Sequence, residues 1–99
     1  MKSSNEYTLK QAIEALIEQY KIQEKLSETV VLNDWEKIVG KMIARHTKNI
    51  YIKKRILYVE LDNAALRNEL SYAKTKLVLA INKSLNSEAI DEIVFTWYR

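Results

Sequence analysis

The 99-residue sequence has no cysteine and no proline, and it contains one glycine and one histidine. The absence of cysteine excludes disulfides and thiolate metal sites. A single histidine argues against structural zinc, which takes four nitrogen or sulfur ligands. One glycine cannot build a P-loop or any other glycine-rich phosphate cradle. We therefore expect neither a bound metal nor a cofactor.

Long apolar runs are also missing from the sequence. No segment approaches the ~18–20 apolar residues that span a bilayer, and Met1–Glu6 lacks the apolar core of a signal peptide. We therefore expect a cytoplasmic protein with no membrane partner. A hydrophobic content of 47% and a length of 99 residues suit one globular domain. We predict a flexible N-terminal tail at residues 1–7 and a single domain at residues 8–99.

The net charge of +3 is distributed unevenly along the chain. Residues 1–36 carry four Lys or Arg and seven Asp or Glu, residues 37–83 carry eleven and three, and residues 84–99 carry one and three. The three segments therefore have net charges of −3, +8 and −2. Concentrated positive charge favours a polyanionic partner, and a lysine-rich solvated surface is the alternative.

Apolar residues at helical spacing predict two helices in the first half of the chain. The first begins at Thr8, a suitable N-cap, and we expect its apolar stripe to face the core. That stripe consists of Leu9, Ile13, Leu16, Ile17 and Tyr20. The second helix takes in Leu26 to Ile43. Residues 23–25 either continue the first helix or form a kink, and Asn33–Asp34 is an alternative start for the second.

The second predicted helix contains the only glycine, Gly40. Glycine inside a helix costs ~1 kcal/mol relative to alanine, so we expect another backbone to approach closely there. Arg45, His46 and Thr47 suit the C-terminus of this helix, where cations meet the negative end of the dipole. We expect His46 and Thr47 to lead into the first strand. The expected core residues are Trp35, Ile38, Val39, Met42 and Ile43.

Alternating β-forming residues predict two strands, Asn49–Lys53 and Ile56–Leu61. Ile50 and Ile52 would share one face of the first strand, and Leu57, Val59 and Leu61 would share one face of the second. The intervening tip, Lys53-Lys54-Arg55, has no glycine, asparagine or aspartate. We therefore expect a longer loop instead of a tight type I′ turn.

One long helix and a final strand complete the predicted domain. The helix follows an N-cap at Asp62 or Asn63 and ends near Asn86, and Ile90–Trp97 forms the strand. The helix would bury Leu66, Leu70, Ala73, Leu77 and Ile81. The order helix, helix, strand, strand, helix, strand predicts an α+β domain with a three-stranded sheet packed by helices.

The search for catalytic groups finds little. His46 has Thr47 beside it, but the sequence shows no triad that would activate a nucleophile. Glu60 and Asp62 would share a strand face, yet no further metal ligands accompany them. A capping or packing role for His46 is the simpler interpretation. We predict that the protein is not an enzyme.

Nucleic-acid binding has better support from the central basic segment. Cations next to exposed aromatic rings suit single strands, because the charge meets phosphates and the rings stack on bases. The rings here are Tyr51, Tyr58 and Tyr72, and tyrosines packed in the core are the alternative. The candidate cations are Lys37, Lys41, Arg45, Lys48, Lys53, Lys54, Arg55, Arg67, Lys74 and Lys76. Those at positions 37, 41 and 45 recur every four residues, which predicts one basic stripe on one helix.

The segments Trp35–Gly40 and Ile43–Thr47 closely resemble the W-x-x-[IV]-V-G-x-x-[IL]-A-x-H-T signature of DciA-like proteins. Leu57–Leu61, Ala64–Leu70 and Ile90–Phe95 also follow that family's pattern. The resemblance covers roughly residues 9–96. The matching positions, which we expect to be mostly structural, are Trp35, Val39, Gly40, Ala44, His46, Thr47, Glu69 and Leu70.

The resemblance implies a KH-like α+β fold and a role in bacterial chromosome replication, in which the protein assists loading of the replicative helicase onto DNA. Its implied partners are the replicative helicase and single-stranded or branched DNA, with RNA as an alternative. Two other functions stay open. One is a general RNA- or DNA-binding module unconnected with helicase loading. The other is a protein-interaction or dimerisation module in which the tail Trp97–Arg99 contacts a partner or a second copy.

The sequence departs from the family's pattern at several points. Lys54-Arg55 stands where the family often has a glycine between the strands, and Lys48-Asn49 follows the His-Thr pair where many members have proline. Longer members carry a basic extension beyond the position of Arg99. The GXXG clamp of KH domains is also missing, so its grip on four nucleotides cannot be transferred.

Overall fold

The structure, a computed structural model, describes residues 8–97. The predicted tail at residues 1–7, together with Tyr98 and Arg99, lies outside the described residues. The helices and strands in chain order are α1 (Leu9–Val39), α2 (Lys41–Arg45), β1 (Thr47–Lys53), β2 (Ile56–Leu61), α3 (Ala64–Leu70), a 3₁₀ turn (Ser71–Ala73), α4 (Lys74–Leu85) and β3 (Glu92–Trp97). Over this range no helix has the length and hydrophobicity that a bilayer crossing requires.

The three strands form one mixed sheet in the order β1-β2-β3. β1 and β2 are antiparallel, and β2 and β3 are parallel through a crossover that contains α3 and α4. This arrangement confirms the predicted α+β fold with its KH-like order of helices and strands. The strand alternation is also confirmed: Trp97 at the end of β3 is 45% exposed, but the other inward-facing residues are buried. They are Ile50, Ile52, Leu57, Val59, Leu61, Ile93 and Phe95.

The helices cover one face of the sheet. Val31 and Trp35 of α1 and Leu77 and Ile81 of α4 join the strand residues in one hydrophobic cluster. Burying side chains of this size stabilises the fold by about 1.5–3 kcal/mol each before the entropy of ordering them is counted. A short hydrogen bond of 2.5 Å from Ser84 Oγ to Asp34 Oδ2 joins the two helices at the rim of this cluster.

Helix α1 corrects two predictions. The expected pair of helices is one continuous helix of 31 residues with no kink at residues 23–25 and no new start at Asn33–Asp34. Its N-terminus is confirmed, because Thr8 and Gln11 form a reciprocal capping box. The expectation that the first apolar stripe faces the core is wrong: Leu9, Ile13, Leu16, Ile17 and Tyr20 are 46–77% exposed.

Gly40 separates α1 from α2 and does not lie inside a helix. Its φ of 92° and ψ of 165° fall in a region that is open to glycine almost alone. No atom lies within 4 Å of the position that a Cβ would take, so the expected close backbone approach is wrong. The break also divides the predicted basic stripe, leaving Lys37 on α1 and Lys41 on α2. Met42, expected in the core, is 59% exposed on the short helix.

The hairpin corrects the prediction of a long loop. Lys53 pairs with Ile56, and the two residues between them have positive φ, 52° at Lys54 and 67° at Arg55. Positive φ at both central residues is typical of a type I′ turn. Tertiary hydrogen bonds stabilise this conformation: Lys54 N–H donates to Glu24 Oε2 at 2.9 Å, and Asp91 N–H donates to Arg55 O at 2.8 Å.

The predicted long helix after β2 is divided into α3 and α4 by the 3₁₀ turn. Asn63 is the N-cap of α3, and its side chain accepts from Leu66 N–H at 3.0 Å. The prediction that Asn86 ends the helix is confirmed by its left-handed conformation, with a φ of 58°. The side chain of Asn82 then bonds both the N–H and the C=O of Ile90, which fixes the chain as it approaches β3.

Candidate nucleic-acid interface

The family-motif residues build the junction between α1, α2 and β1, which we define as residues 35–48. The indole N–H of Trp35 donates to Thr47 Oγ1 at 2.9 Å, and the Thr47 hydroxyl donates to the carbonyl of Ile43 at 2.8 Å. Val39 and Ala44 pack against the core from either side of Gly40. The chain bends at Gly40, and the hydrogen bond between Trp35 and Thr47 joins the two sides of this bend. This geometry explains the spacing of the three motif residues.

Asp62, which directly follows β2, holds His46 at the same junction. Its Nδ1 lies 2.7 Å from Asp62 Oδ1, and Lys48 Nζ lies 3.3 Å from Asp62 Oδ2. The hydrogen bond from His46, helped by Lys48, holds the pKa of the Asp62 carboxyl below its usual value. Asp62 N–H also donates to His46 O at 3.1 Å, so the pair ties the two strand ends together.

The His46–Asp62 pair was missed in the sequence because 16 residues separate its members. The predicted hairpin could have revealed this pair. Antiparallel pairing of β1 and β2 brings the residue before β1 next to the residue after β2. The neighbouring hydroxyl of Thr47 donates to the carbonyl of Ile43 and accepts from the indole N–H of Trp35, so it is not hydrogen-bonded to His46. Within residues 8–97 no cluster of three or more His, Asp or Glu could hold a metal.

Three of the ten candidate cations make structural contacts in the folded domain. Arg55 forms a bidentate pair with Asp91, with Nε–Oδ2 and Nη2–Oδ1 distances of 2.8 Å, and donates to Glu88 O at 2.6 Å. This pairing lowers the pKa of the Asp91 carboxyl and raises the pKa of Arg55. Lys48 pairs with Asp62 as described. Arg67, on α3, stacks 4.4 Å from the ring centroid of Trp97.

The other candidate cations fall into three groups. Lys37 at the end of α1 and Lys41 and Arg45 on α2 are exposed, and we call them the junction cations. Lys53 and Lys54 are exposed at the hairpin, while Lys74 is half-buried and Lys76 exposed on α4. Within residues 8–97, the ion pairs formed involve none of these seven residues.

The sheet separates the junction cations from the hairpin. β1 runs from the junction at Thr47 to the hairpin at Lys53 and is seven residues long, which corresponds to roughly 20 Å. Lys48 is therefore at the junction end of β1, away from the other candidate cations at the hairpin. Trp97 pairs in register with Leu61, so it and Arg67 also belong to the junction end.

The tyrosines of β1 and β2 lie on the sheet face opposite the helices. Tyr51 and Tyr58 are cross-strand partners whose rings stack with centroids 4.9 Å apart and planes 14° apart. Both are half-exposed, so the alternative that they belong to the core is wrong. Glu60 and Glu92 alternate onto this same face, which offsets the positive charge that a phosphate backbone would need. Tyr72, by contrast, is 86% exposed in the 3₁₀ turn.

Two motif positions lie away from the junction. Leu70 is buried in the core at the end of α3. Glu69, its neighbour, is exposed, and nothing in the structure explains its presence in the motif.

The fold and the junction together define a class: a KH-like α+β domain whose signature residues shape a bend that presents cations. The model of one family, described as "Dna[CI] antecedent, DciA", matches residues 8–95. The chain belongs to the DciA family. Membership implies a role of the helicase-loader kind in bacterial DNA replication, and the family is not a known catalytic one. No curated protein matches the chain significantly.

Proposed function

We propose that this protein is a non-enzymatic adaptor that assists loading of the bacterial replicative helicase onto DNA and that it binds nucleic acid weakly, without sequence preference. The family match carries this proposal, because it spans residues 8–95 and thus nearly the whole chain. The partners we propose are the replicative helicase and single-stranded or branched DNA.

The junction cations support the nucleic-acid part of the proposal. Lys41 and Arg45 are four residues apart on α2 and therefore share one side of that helix, while Lys37 lies at the end of α1, before the Gly40 bend. Exposed cations bind phosphates by releasing condensed counterions, so the affinity should fall as salt rises. Nothing in this arrangement recognises base edges, which is why we propose binding that is independent of sequence.

The remaining candidate cations receive smaller roles in this proposal. At the hairpin end, Glu24 accepts from Lys54 N–H, and Asp91 and Glu88 contact Arg55 in the same turn. These acidic residues oppose a phosphate backbone beside Lys53 and Lys54. Arg55 and Lys48 have acidic partners, and Arg67 has Trp97. Lys74 and Lys76 are both on α4, but their spacing of two residues puts them on different sides of that helix. We therefore expect the junction cations to dominate.

Fluorescence anisotropy with a labelled single-stranded oligonucleotide tests the interface. The variant Lys37→Ala/Lys41→Ala/Arg45→Ala should bind roughly tenfold or more weakly than the unmodified chain at low salt, because three phosphate contacts are lost. A matched control, Lys21→Ala/Lys25→Ala/Lys83→Ala, removes the same charge from other exposed positions. Equal losses in both variants would mean that overall charge matters and that the junction is not an interface.

Co-elution with the purified replicative helicase of the same bacterium tests the adaptor role. We expect a complex at concentrations on the order of 10 µM. Salt-dependent nucleic-acid binding without any helicase complex would instead favour the general RNA- or DNA-binding module. Comparing DNA and RNA oligonucleotides of one sequence would then decide between those ligands.

A further inference from the structure

The first third of α1 has an apolar face that the described domain leaves largely uncovered. We call residues 9–20 the overhang, because the buried residues of α1 begin only at Ser27. Leu9, Ile13, Leu16 and Tyr20 are spaced by four, three and four residues, the 3.5-residue period of a coiled-coil seam. All four are 46–77% exposed. Tyr20, at the domain end of the seam, also lines a cleft with Arg55 and Glu88, and the rest of the seam has no partner within residues 8–97.

The overhang cannot cover this seam with its own domain. α1 is one unbroken helix, and its C-terminal half is fixed against β1 and α4 by Val31 and Trp35. Twelve helical residues extend about 18 Å along the axis. The described part of the molecule is correspondingly long, 61 Å against widths of 29 and 20 Å. Any molecule that covers the seam must come from outside the described domain.

The residues beside the seam argue against nucleic acid or a lipid surface as the occupant. Lys10, Glu14 and Glu18 give the overhang a mixed polar side, whereas a helix that binds phosphates or a membrane surface carries a basic one. The positions that flank the seam are Lys10, Ala12, Ile17 and Gln19, of which only Lys10 is charged. No like charges would therefore oppose one another across a pair of overhangs.

A second copy fits the seam in an antiparallel register. With the two overhangs fully overlapped, Leu9 lies opposite Tyr20 of the other copy and Ile13 lies opposite Leu16, and each pair occurs twice by symmetry. Antiparallel helices also align their dipoles favourably. The overlap can extend no further, because Glu24 bonds the hairpin at Lys54 and the domain begins there.

The size of this contact predicts its strength. Covering the exposed parts of the four seam residues and of the flanking Ile17 on each copy would bury on the order of 1,000 Å² in total, near the lower limit for a specific interface. We propose that the overhang is a self-association element through which two copies of this chain form a weak antiparallel dimer, with their domains at opposite ends of the paired helices. This dimer is independent of the proposed helicase and nucleic-acid contacts.

Sedimentation of the full 99-residue chain across roughly 1–200 µM tests the dimer, a range that brackets weak affinities. The mass should rise from 11.6 kDa toward twice that value as the concentration increases. Ile13→Glu/Leu16→Glu should remain at 11.6 kDa throughout, with an unchanged circular dichroism spectrum, because both positions are exposed. The matched control Gln11→Glu/Ala15→Glu adds the same charge on the other side of α1 and should dimerise like the unmodified chain.

Cysteine cross-linking tests the direction of pairing, since the natural chain has no cysteine. In the antiparallel register Leu16→Cys lies close to its counterpart and should cross-link, whereas the two copies of Leu9→Cys are separated by about 16 Å along the axis. Equal cross-linking at both positions would overturn the antiparallel arrangement. A constant mass of 11.6 kDa for the unmodified chain would overturn the dimer. If the glutamate variant then also failed to co-elute with the helicase, the seam would belong to that partner.

Discussion

The two ends of α1 carry the same kind of apolar pattern and have opposite environments. At the C-terminal end, Val31 and Trp35 are buried against the sheet and α4. In the overhang, Leu9 and Leu16 are 77% and 64% exposed. Helical periodicity predicts which side of a helix is apolar. Whether a sheet packs against that side depends on contacts between residues distant in sequence, which periodicity does not predict. The comparison therefore separates residues that stabilise the monomer from residues available to another molecule.

The largest expected effect is at the C-terminal end of α1, around Val31 and Trp35, which we call the packed end. Trp35→Ala removes a side chain that is 4% exposed together with its hydrogen bond to Thr47. We expect the free energy of unfolding to fall by about 3–5 kcal/mol, measured by urea denaturation.

A loss of this size can leave the domain unfolded, so Trp35→Phe serves as a second variant. It keeps most of the ring volume but lacks the indole N–H, and we expect a loss of about 1 kcal/mol or somewhat more. If neither variant changed the urea midpoint, Trp35 would not be part of the core.

A smaller effect is expected at Gly40, where the packed end of α1 stops. Gly40→Ala should cost about 1–3 kcal/mol, because a side chain is strained at a φ of 92° and a ψ of 165°. The space around the Cβ position is open, so the cost should come from the backbone alone. Gly40→Ser and Gly40→Ala should therefore be equally unstable in the same denaturation experiment, whereas steric crowding would make the serine variant worse.

The Arg55–Asp91 pair, which holds the hairpin near the start of the packed end, should give a pH-dependent effect. Arg55 lowers the pKa of Asp91 in the folded state, so the stabilisation is present above the carboxyl's ordinary pKa of about 4 and is lost as the pH falls through the folded value. Asp91→Asn should therefore melt below the unmodified chain at pH 7 and at pH 5.

The difference in melting temperature between Asp91→Asn and the unmodified chain should shrink when the pH is lowered below about 4. Asp62 has a lowered pKa as well, so both proteins should lose stability in acid. A difference that persisted unchanged to pH 2 would show that the asparagine acts through something other than the lost charge.

The smallest effect is expected in the overhang. Leu16→Ala should change the free energy of unfolding by less than about 0.5 kcal/mol at low protein concentration, because the side chain is 64% exposed and alanine favours helix. Measuring Leu16→Ala and Trp35→Ala side by side in urea compares the two ends of α1 most directly. A large loss for Leu16→Ala would mean that the overhang is folded onto the domain.

Local sequence patterns predicted the elements of the fold that depend on local chemistry. The strand faces from Ile50 to Leu61, the capping threonine at the start of α1 and the left-handed Asn86 all follow from alternation, capping and backbone preference. The KH-like order followed from these elements together with the family resemblance.

Features that depend on distant contacts could not be predicted in this way. The type I′ turn at Lys54 and Arg55 has unfavourable residues, and it is held by Glu24 and Asp91 from other elements. The candidate interface shows the same limit. Charge alone made ten cations equivalent, and only the fold shows that Arg55, Lys48 and Arg67 have partners.

An unwinding assay tests the central claim most directly. The replicative helicase, at a limiting concentration on a forked DNA substrate, should unwind faster when this protein is added. The variant Lys37→Ala/Lys41→Ala/Arg45→Ala should stimulate unwinding less than Lys21→Ala/Lys25→Ala/Lys83→Ala, which removes the same charge elsewhere. An unwinding rate that this protein leaves unchanged across its full concentration range would contradict the adaptor role.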